Sequence, residues 1–398
     1  MPIVGPQASR SPGPTTWPGS IRYPLPCTRH RLTWLSFRRV VGRPAGDPIG
    51  RSTLVPVTTA LPLTRVPDPA AAPALRWGIL GPGTIARTFA STVLTHSRQH
   101  LVAVASRSRE RGEHFAGEFG IPRVHTAYED LAADPEVDVI YVATPHSHHR
   151  AQALLAIGGG KHVLVEKAFT RNASEAREVL QAAQEAGVVA LEAMWSRFLP
   201  GTDVLRQLLA DGALGTIVSV TADHGQLIGA ADAARLHDPA LAGGALLDLG
   251  IYPVSFASLV LGQPDTIRAT GTLTPSGVDE QVRAVLTSGG AEAVLTTTLA
   301  ERTHNTASIV GTTARVDLPG DFYTPVPLTV RSTDGATSTI DPGPISGHDG
   351  LVYQAAHLAQ LVADGRTHSP ALPPEETIGI LTTTDEIRRQ VGVVYPGD

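Results

Sequence analysis

The chain has 398 residues, a formal net charge of −5 and 42% apolar residues, which is enough for two globular domains and a tail. Its single cysteine, Cys27, excludes an intrachain disulfide and any multi-cysteine metal site. No uninterrupted apolar run reaches transmembrane length. The charge is uneven: up to residue 74 there are nine Arg, no Lys and two acids, and the remainder carries a net −12. An acidic body argues against a nucleic-acid or anionic-membrane surface.

Residues 1–74 hold fourteen of the 32 prolines and show no sustained period of 3.6 or 2. Such a segment buries too little apolar surface to offset its ordering entropy, so a disordered Pro/Arg-rich tail is expected. Ser36-Phe37-Arg38-Arg39-Val40-Val41 is faintly similar to a twin-arginine export signal. Gly42 to Gly50, directly after it, has Pro, Arg and Asp in place of an apolar region, and a cytoplasmic protein with a dispensable tail is expected.

Order is predicted from Leu75. Arg76 to Leu80 reads as a strand and runs into Gly81-Pro82-Gly83-Thr84-Ile85-Ala86, then a helix to about His96. This is G-x-G-x-x-A between strand and helix. The first Gly permits the turn, the second lets a pyrophosphate approach the backbone, and the Ala allows close helix–strand packing. A second strand, Leu101 to Ala105, ends in Ser106-Arg107-Ser108-Arg109, with no carboxylate for a ribose 2′-hydroxyl. Arg and hydroxyls suit a 2′-phosphate, so NADP is expected over NAD; the other reading is a solvated turn.

Glu110 to Gly120 and Tyr128 to Ala133 read as helices, and Val137 to Ala143 as a strand. It ends Thr144-Pro145-His146-Ser147-His148-His149. A helix starting there sends the three histidines to different faces, and no further ligand cluster lies nearby, so no metal is expected. A helix from about Ser147 to Ile157 leads to Gly158–Ala168, GGGKHVLVEKA. The only two lysines of the chain, Lys161 and Lys167, are both here. Unlike Arg, Lys can give up its proton and do acid–base work. Lys161 reads equally as a surface-turn residue. Lys167 follows the buried strand Val163-Leu164-Val165 and Glu166, at the strand end where an open α/β sheet keeps its site. The next helix has Asn172 as N-cap, Glu175 three residues on, and Gly187 at its end. With a strand at Val188 to Leu191, this half is a doubly wound parallel sheet.

The grammar then changes. After Glu192 to Phe198 and a helix at about Thr202 to Asp211 come strands at Ile217–His224, Thr266–Leu273, Val282–Thr287, Ala293–Glu301, Ser308–Gly311 and Arg315–Leu318. Helices at about Gly350–Ala363 and Glu375–Val391 close the chain. The predicted fold is α/β: a tail (1–74), a dinucleotide-binding domain (75–196) and an α+β domain (197–398) built on a large, mostly antiparallel sheet. Within Gly243-Gly244-Ala245-Leu246-Leu247-Asp248-Leu249-Gly250-Ile251-Tyr252, a helix would put Asp248 and Tyr252 on one face. They read either as a catalytic acid–phenol pair or as a core Tyr capped by Asp.

Gly81 to Ala86, Thr144-Pro145 with His149, Gly160-Lys161-His162-Val163 with Glu166-Lys167, and the Gly243–Tyr252 segment together resemble the glucose–fructose oxidoreductase and inositol dehydrogenase (Gfo/Idh/MocA) family over about residues 75–398. Glu192-Ala193-Met194-Trp195-Ser196-Arg197-Phe198 and the Gly243–Tyr252 segment are similar to its dimeric dihydrodiol dehydrogenase branch, which also oxidises D-xylose with NADP. Asn305 to Ser308 and Val393 to Pro396 are similar to the same branch. The resemblance implies a Rossmann domain, a cleft between domains, and hydride transfer from a sugar or cyclic diol to NADP. It implies Lys167, Tyr252 and Asp248 as catalytic residues, and Lys167, Trp195, Phe198, Asp248 and Tyr252 against the substrate. For the cofactor it implies Gly81, Gly83, Thr84, Ile85, Ser106, Arg107, Thr144, Pro145, His146, His149, Glu166, Lys167, Trp195 and Arg197. A homodimer or higher homo-oligomer through the C-terminal sheet is also implied. An inositol or keto-sugar substrate, or a non-catalytic NADP-sensing regulator, is the alternative. Where the family has Pro after Glu-Lys this chain has Ala168, which implies a looser Lys167.

Overall fold

A computed structural model describes residues 61–228 and 234–398. Cys27, the twin-arginine-like run and most of the expected tail lie outside the described residues. Residues 61–74, assigned above to that tail, lie against the body of the protein. Arg65 donates to Asp203 at 2.8 Å, and the side chains of Arg98 and Gln99 donate to Ala70 O and Pro73 O. A short 3₁₀ turn, Pro69–Ala71, is capped by Asp68. Side-chain contacts fix this arm, and they leave no periodic signal in its sequence.

The first sheet contains β1 (Arg76–Leu80), β2 (His100–Ala105), β3 (Arg123–His125), β4 (Val139–Val142), β5 (His162–Glu166) and β6 (Ala190–Ala193), in the order β3-β2-β1-β4-β5-β6. Every pairing is parallel. The order reverses between β1 and β4, and such a switch point opens a crevice at the C-terminal strand ends. The helices are α1 (Thr84–His96), α2 (Arg109–Phe119), α3 (Tyr128–Ala133), α4 (His146–Gly158) and α5 (Ala173–Ala186). Asn172 caps α5 by accepting from the Glu175 amide, and Gly187 ends it in the left-handed conformation. Strand β3, three half-buried residues long, gave no signal in the sequence.

The second sheet has eight strands: β7 (Ile217–Gly225), β8 (Thr266–Leu273), β9 (Asp279–Ser288), β10 (Ala291–Thr298), β11 (Ala307–Gly311), β12 (Ala314–Leu318), β13 (Leu328–Ser332) and β14 (Thr337–Ile340). Their order is β14-β13-β12-β11-β7-β10-β9-β8. The β7–β10 pair is parallel and the others are antiparallel. Alternation sets the faces: Val282, Ala284, Leu286, Ala293 and Leu295 are buried, while Arg283, Val285, Glu292 and Val294 are exposed or half-buried. Helices α6 (Pro200–Ala210), α7 (Ile251–Leu261), α8 (Val352–Ala363) and α9 (Pro374–Val391) complete the described α-helices. Strands β13 and β14, the latter at the sheet edge, were not foreseen, because short strands rich in Thr and Ser carry little apolar alternation.

Candidate active site

The site starts from β5. Val163, Leu164 and Val165 are fully buried, so the strand delivers Glu166 and Lys167 to the crevice with little freedom. The Lys167–Ala168 peptide is cis with Ala in the place of Pro. Lys167 has close partners. Its Nζ donates to the main-chain oxygen of Asp248 at 2.6 Å, lies 3.6 Å from that residue's Oδ1, and sits 5.2 Å from the centre of the Tyr252 ring. Lys161 has a structural role: its buried Nζ donates to the carbonyls of Asp134 and Val137 at 2.6 and 2.8 Å.

Asp248 and Tyr252 come from the second domain. The segment Leu246–Gly250 is a π-helical turn that runs into α7, so the two residues do not follow ordinary α spacing. Gly244 has φ +111°, and a Cβ there would fall 2.1 Å from Oδ1 of Asp279. Asp279 caps the turn by accepting from the Leu246 amide at 2.6 Å. Burial pushes the Asp248 carboxyl up, but Lys167 and Arg235 outweigh it and hold it below the usual carboxylate range. Arg235, unforeseen in the sequence, lies 3.2 Å from Oδ1 of Asp248.

Tyr252 is buried, and its phenolic oxygen accepts the indole N–H of Trp195 at 2.8 Å. Burial and then the neighbouring Glu166 push the phenol well above its ordinary value, against the opposing Trp195 hydrogen bond. These surroundings favour the neutral phenol. His224 and Tyr323 flank it with ring centres 5.3 and 4.9 Å away. Burial, then Lys167, pushes His224 down to about 4, so its ring is neutral at pH 7. The sequence reading missed His224. The signal was there, since it continues the inward-facing series Val220, Ala222 on β7.

Beneath the site Tyr141 donates to Glu166, which also accepts the Lys167 amide at 3.2 Å. His146 and His149 support the crevice. The ring nitrogens of His146 lie 3.0 and 3.2 Å from the oxygens of Ala242 and Lys167. Those of His149 lie 3.0 and 2.8 Å from Ala168 O and Thr144 O. Burial, then His149, pushes His146 down to about 3.

The other predicted cofactor residues gather at the ends of β1, β2 and β4. Gly81 has φ +93°, and a Cβ there would sit 2.7 Å from the side chain of Thr144. At Gly83 the nearest atom to a Cβ would be 3.9 Å away, which leaves the backbone open. Thr84 and Ile85 begin α1, whose N-terminus has no side-chain cap, and Pro145 precedes α4. Ser106 is buried; Arg107 is exposed and makes no ion pair among the described residues. These features fit a dinucleotide: open amides for a pyrophosphate and an unpaired guanidinium beyond β2.

Two expectations fail. Arg197 points into the second domain, where it donates to Ser255 O at 3.1 Å and pairs with Glu376 at 2.5 Å. Phe198 stacks on His357 at 4.7 Å and lines a separate cavity with Arg206 and Tyr353. Successive residues of a 3₁₀ turn project about 120° apart, so Arg197 cannot share the direction of Trp195.

This architecture defines a two-domain, nucleotide-binding oxidoreductase. Residues 75–193 match the model described as oxidoreductase family, NAD-binding Rossmann fold (GFO_IDH_MocA), and residues 203–317 match the GFO/IDH/MocA C-terminal domain. Trans-1,2-dihydrobenzene-1,2-diol dehydrogenase of Bos taurus is 36% identical over 335 residues, covering 82% of this chain and 99% of the relative. Among solved structures, aldose-aldose oxidoreductase from Caulobacter crescentus complexed with glycerol is 26% identical with a TM-score of 0.72, covering 81% of this chain and 100% of its own. A 3-ketoreductase from Actinomadura kijaniata in complex with TDP-benzene and NADP is 25% identical with a TM-score of 0.68, covering 80% and 98%. The chain belongs to the Gfo/Idh/MocA oxidoreductase family. It is an NAD(P)-dependent dehydrogenase.

Proposed function

We propose that the chain exchanges a hydride between NADP and a CH–OH carbon of a sugar or cyclic diol, a D-xylose-like aldose or a trans-dihydrodiol. The observation that carries this is the Lys167 ammonium 5.2 Å from the Tyr252 ring centre, with Trp195 N–H on the phenolic oxygen. The activities for which the relatives are named support the substrate class, and the free Arg107 supports NADP. When bound, NADP accepts the hydride. The residues do the rest. As phenolate, Tyr252 would take the hydroxyl proton in oxidation, becoming the neutral phenol that returns it in reduction. Lys167 places positive charge and hydrogen bonds beside the reacting oxygen, Asp248 fixes Lys167, and Trp195 walls the site.

A keto-sugar reductase is the second reading, because a phenol held protonated is in the form that can give a proton to a developing alkoxide. A panel of aldoses, trans-diols and keto-sugars, assayed with NADP(H) and NAD(H) by the absorbance of the reduced nicotinamide, tests both readings. Turnover with none of them would sink both. We further propose a homodimer through the exposed face of the eight-stranded sheet, and sedimentation of the full chain tests it.

A further inference from the structure

The hydrogen bonds that hold Lys167 and His224 end on two consecutive main-chain oxygens. Lys167 Nζ donates to Asp248 O at 2.6 Å, and His224 Nδ1 lies 3.1 Å from Leu249 O. A carbonyl inside a helix normally accepts an amide from its own helix, so two successive ones met by side chains of other elements need a cause. Leu246–Gly250 is π-helical, with amides bonding five residues back, and Ile251–Leu261 is α-helical, with amides bonding four back. Where the two spacings meet, the amide of residue 253 would serve Asp248 by one count and Leu249 by the other. Residue 253 is proline, which has no N–H. Neither oxygen can take an amide from position 253; Lys167, just past β5, meets Asp248 O, and His224 on β7 meets Leu249 O beside the Ile251 amide.

The second ring nitrogen of His224 lies 2.9 Å from Gln226 Nε2. With the Gln amide donating there, the His224 proton is on Nδ1, which matches donation to Leu249 O. The ring so fixed stacks on Tyr323 at 4.3 Å and flanks Tyr252. We infer that Pro253 is a positioning residue: an amide at 253 would compete for the carbonyls of Asp248 and Leu249, and its absence leaves them to orient the Lys167 ammonium and the His224 imidazole around Tyr252. Pro253 is buried within α7, and its role is electronic and geometric through its neighbours.

The inference rests on the catalytic reading of Lys167. Pro253→Ala returns the amide. A carbonyl drawn into the helix axis offers Lys167 a poorer acceptor, and a bond to a charged donor is worth about tenfold or more. With D-xylose and trans-1,2-cyclohexanediol as probes, kcat should fall about tenfold with NADPH affinity unchanged. Lactic acid placed at 253 by nonsense suppression has neither ring nor N–H, and it should restore the rate. A second readout needs no substrate. Selective ¹⁵N-lysine labelling gives two side-chain signals, because the chain has two lysines. In Pro253→Ala the Lys167 signal should broaden through faster proton exchange. That of Lys161, held by Asp134 and Val137, should stay. An unchanged Lys167 signal and rate in Pro253→Ala, or a loss that lactic acid does not restore, overturns the inference. If Pro253→Ala does not fold, the lactic acid variant alone decides, with full activity and an unchanged Lys167 signal expected. Lys167→Met separates the two claims: full turnover in that variant sinks the catalytic reading itself, whatever Pro253 does.

Discussion

The indole N–H of Trp195 donates to the phenolic oxygen of Tyr252 at 2.8 Å, across the seam between the parallel sheet and the second domain. Of the leading influences on that phenol, it is the one that favours the ionised form; burial, Glu166, Tyr323 and Asp248 all oppose it. Trp195→Phe removes the donor and keeps most of the ring. If Tyr252 is the base in oxidation, the alkaline-rising limb of kcat/KM moves about one unit further up, since one such bond is worth about 1–2 kcal/mol. A limb that stays in place removes Tyr252 as the group that titrates.

The pair itself is tested by Lys167→Met and Tyr252→Phe. Loss of a positioned proton-transfer group lowers turnover by about 10²–10⁴. NADPH fluorescence titration should be nearly unchanged in both. Wild-type turnover in either variant takes that residue out of the mechanism.

Cofactor choice depends on Arg107. Replacing it with Ala should weaken NADPH binding about ten- to a hundredfold, the worth of a charge-assisted contact to a phosphate, and leave NADH binding alone. Equal weakening of both would mean the guanidinium serves something other than the 2′-phosphate.

Stability should carry its own pH signature. Glu192 is buried on β6, accepts the Phe169 amide at 3.1 Å, and has a second oxygen without a partner. Burial raises it from 4.5 to about 7. Between those values the folded state binds a proton that the unfolded state has lost. The associated stability is full below about pH 4.5 and is lost as pH rises through about 7. Asp279, raised by burial to about 6, adds a slope of the same sign. Thermal melts of Glu192→Gln across this range should fall less steeply with pH than those of wild type. Parallel slopes would show that Glu192 stays ionised in the fold.

Much of this was legible in the chain because short-range chemistry specified it. The glycines at 81 and 83, the cap at Asn172, and the run before Glu166 each have a local cause that the fold did not override. Lys167 was conspicuous because lysine is so scarce here. The π turn was invisible, since one inserted residue in a helix leaves no periodic trace in Gly243–Tyr252. Arg235 sits on an irregular connection, where no pattern marks a partner for Asp248. Arg197 and Phe198 were misplaced because nearness to Trp195 in sequence says nothing of direction in a tight turn. Residues 61–74 read as tail because an arm tied down by Arg65 and Gln99 needs no amphipathic period.

Two of the bonds at the crevice cross from one lobe to the other: Lys167 to Asp248, and His146 to Ala242. On the proposed mechanism, the ammonium beside the reacting oxygen is thus also a fastener. On that mechanism, a molecule that wedged the lobes apart would disarm the chemistry without touching the nicotinamide.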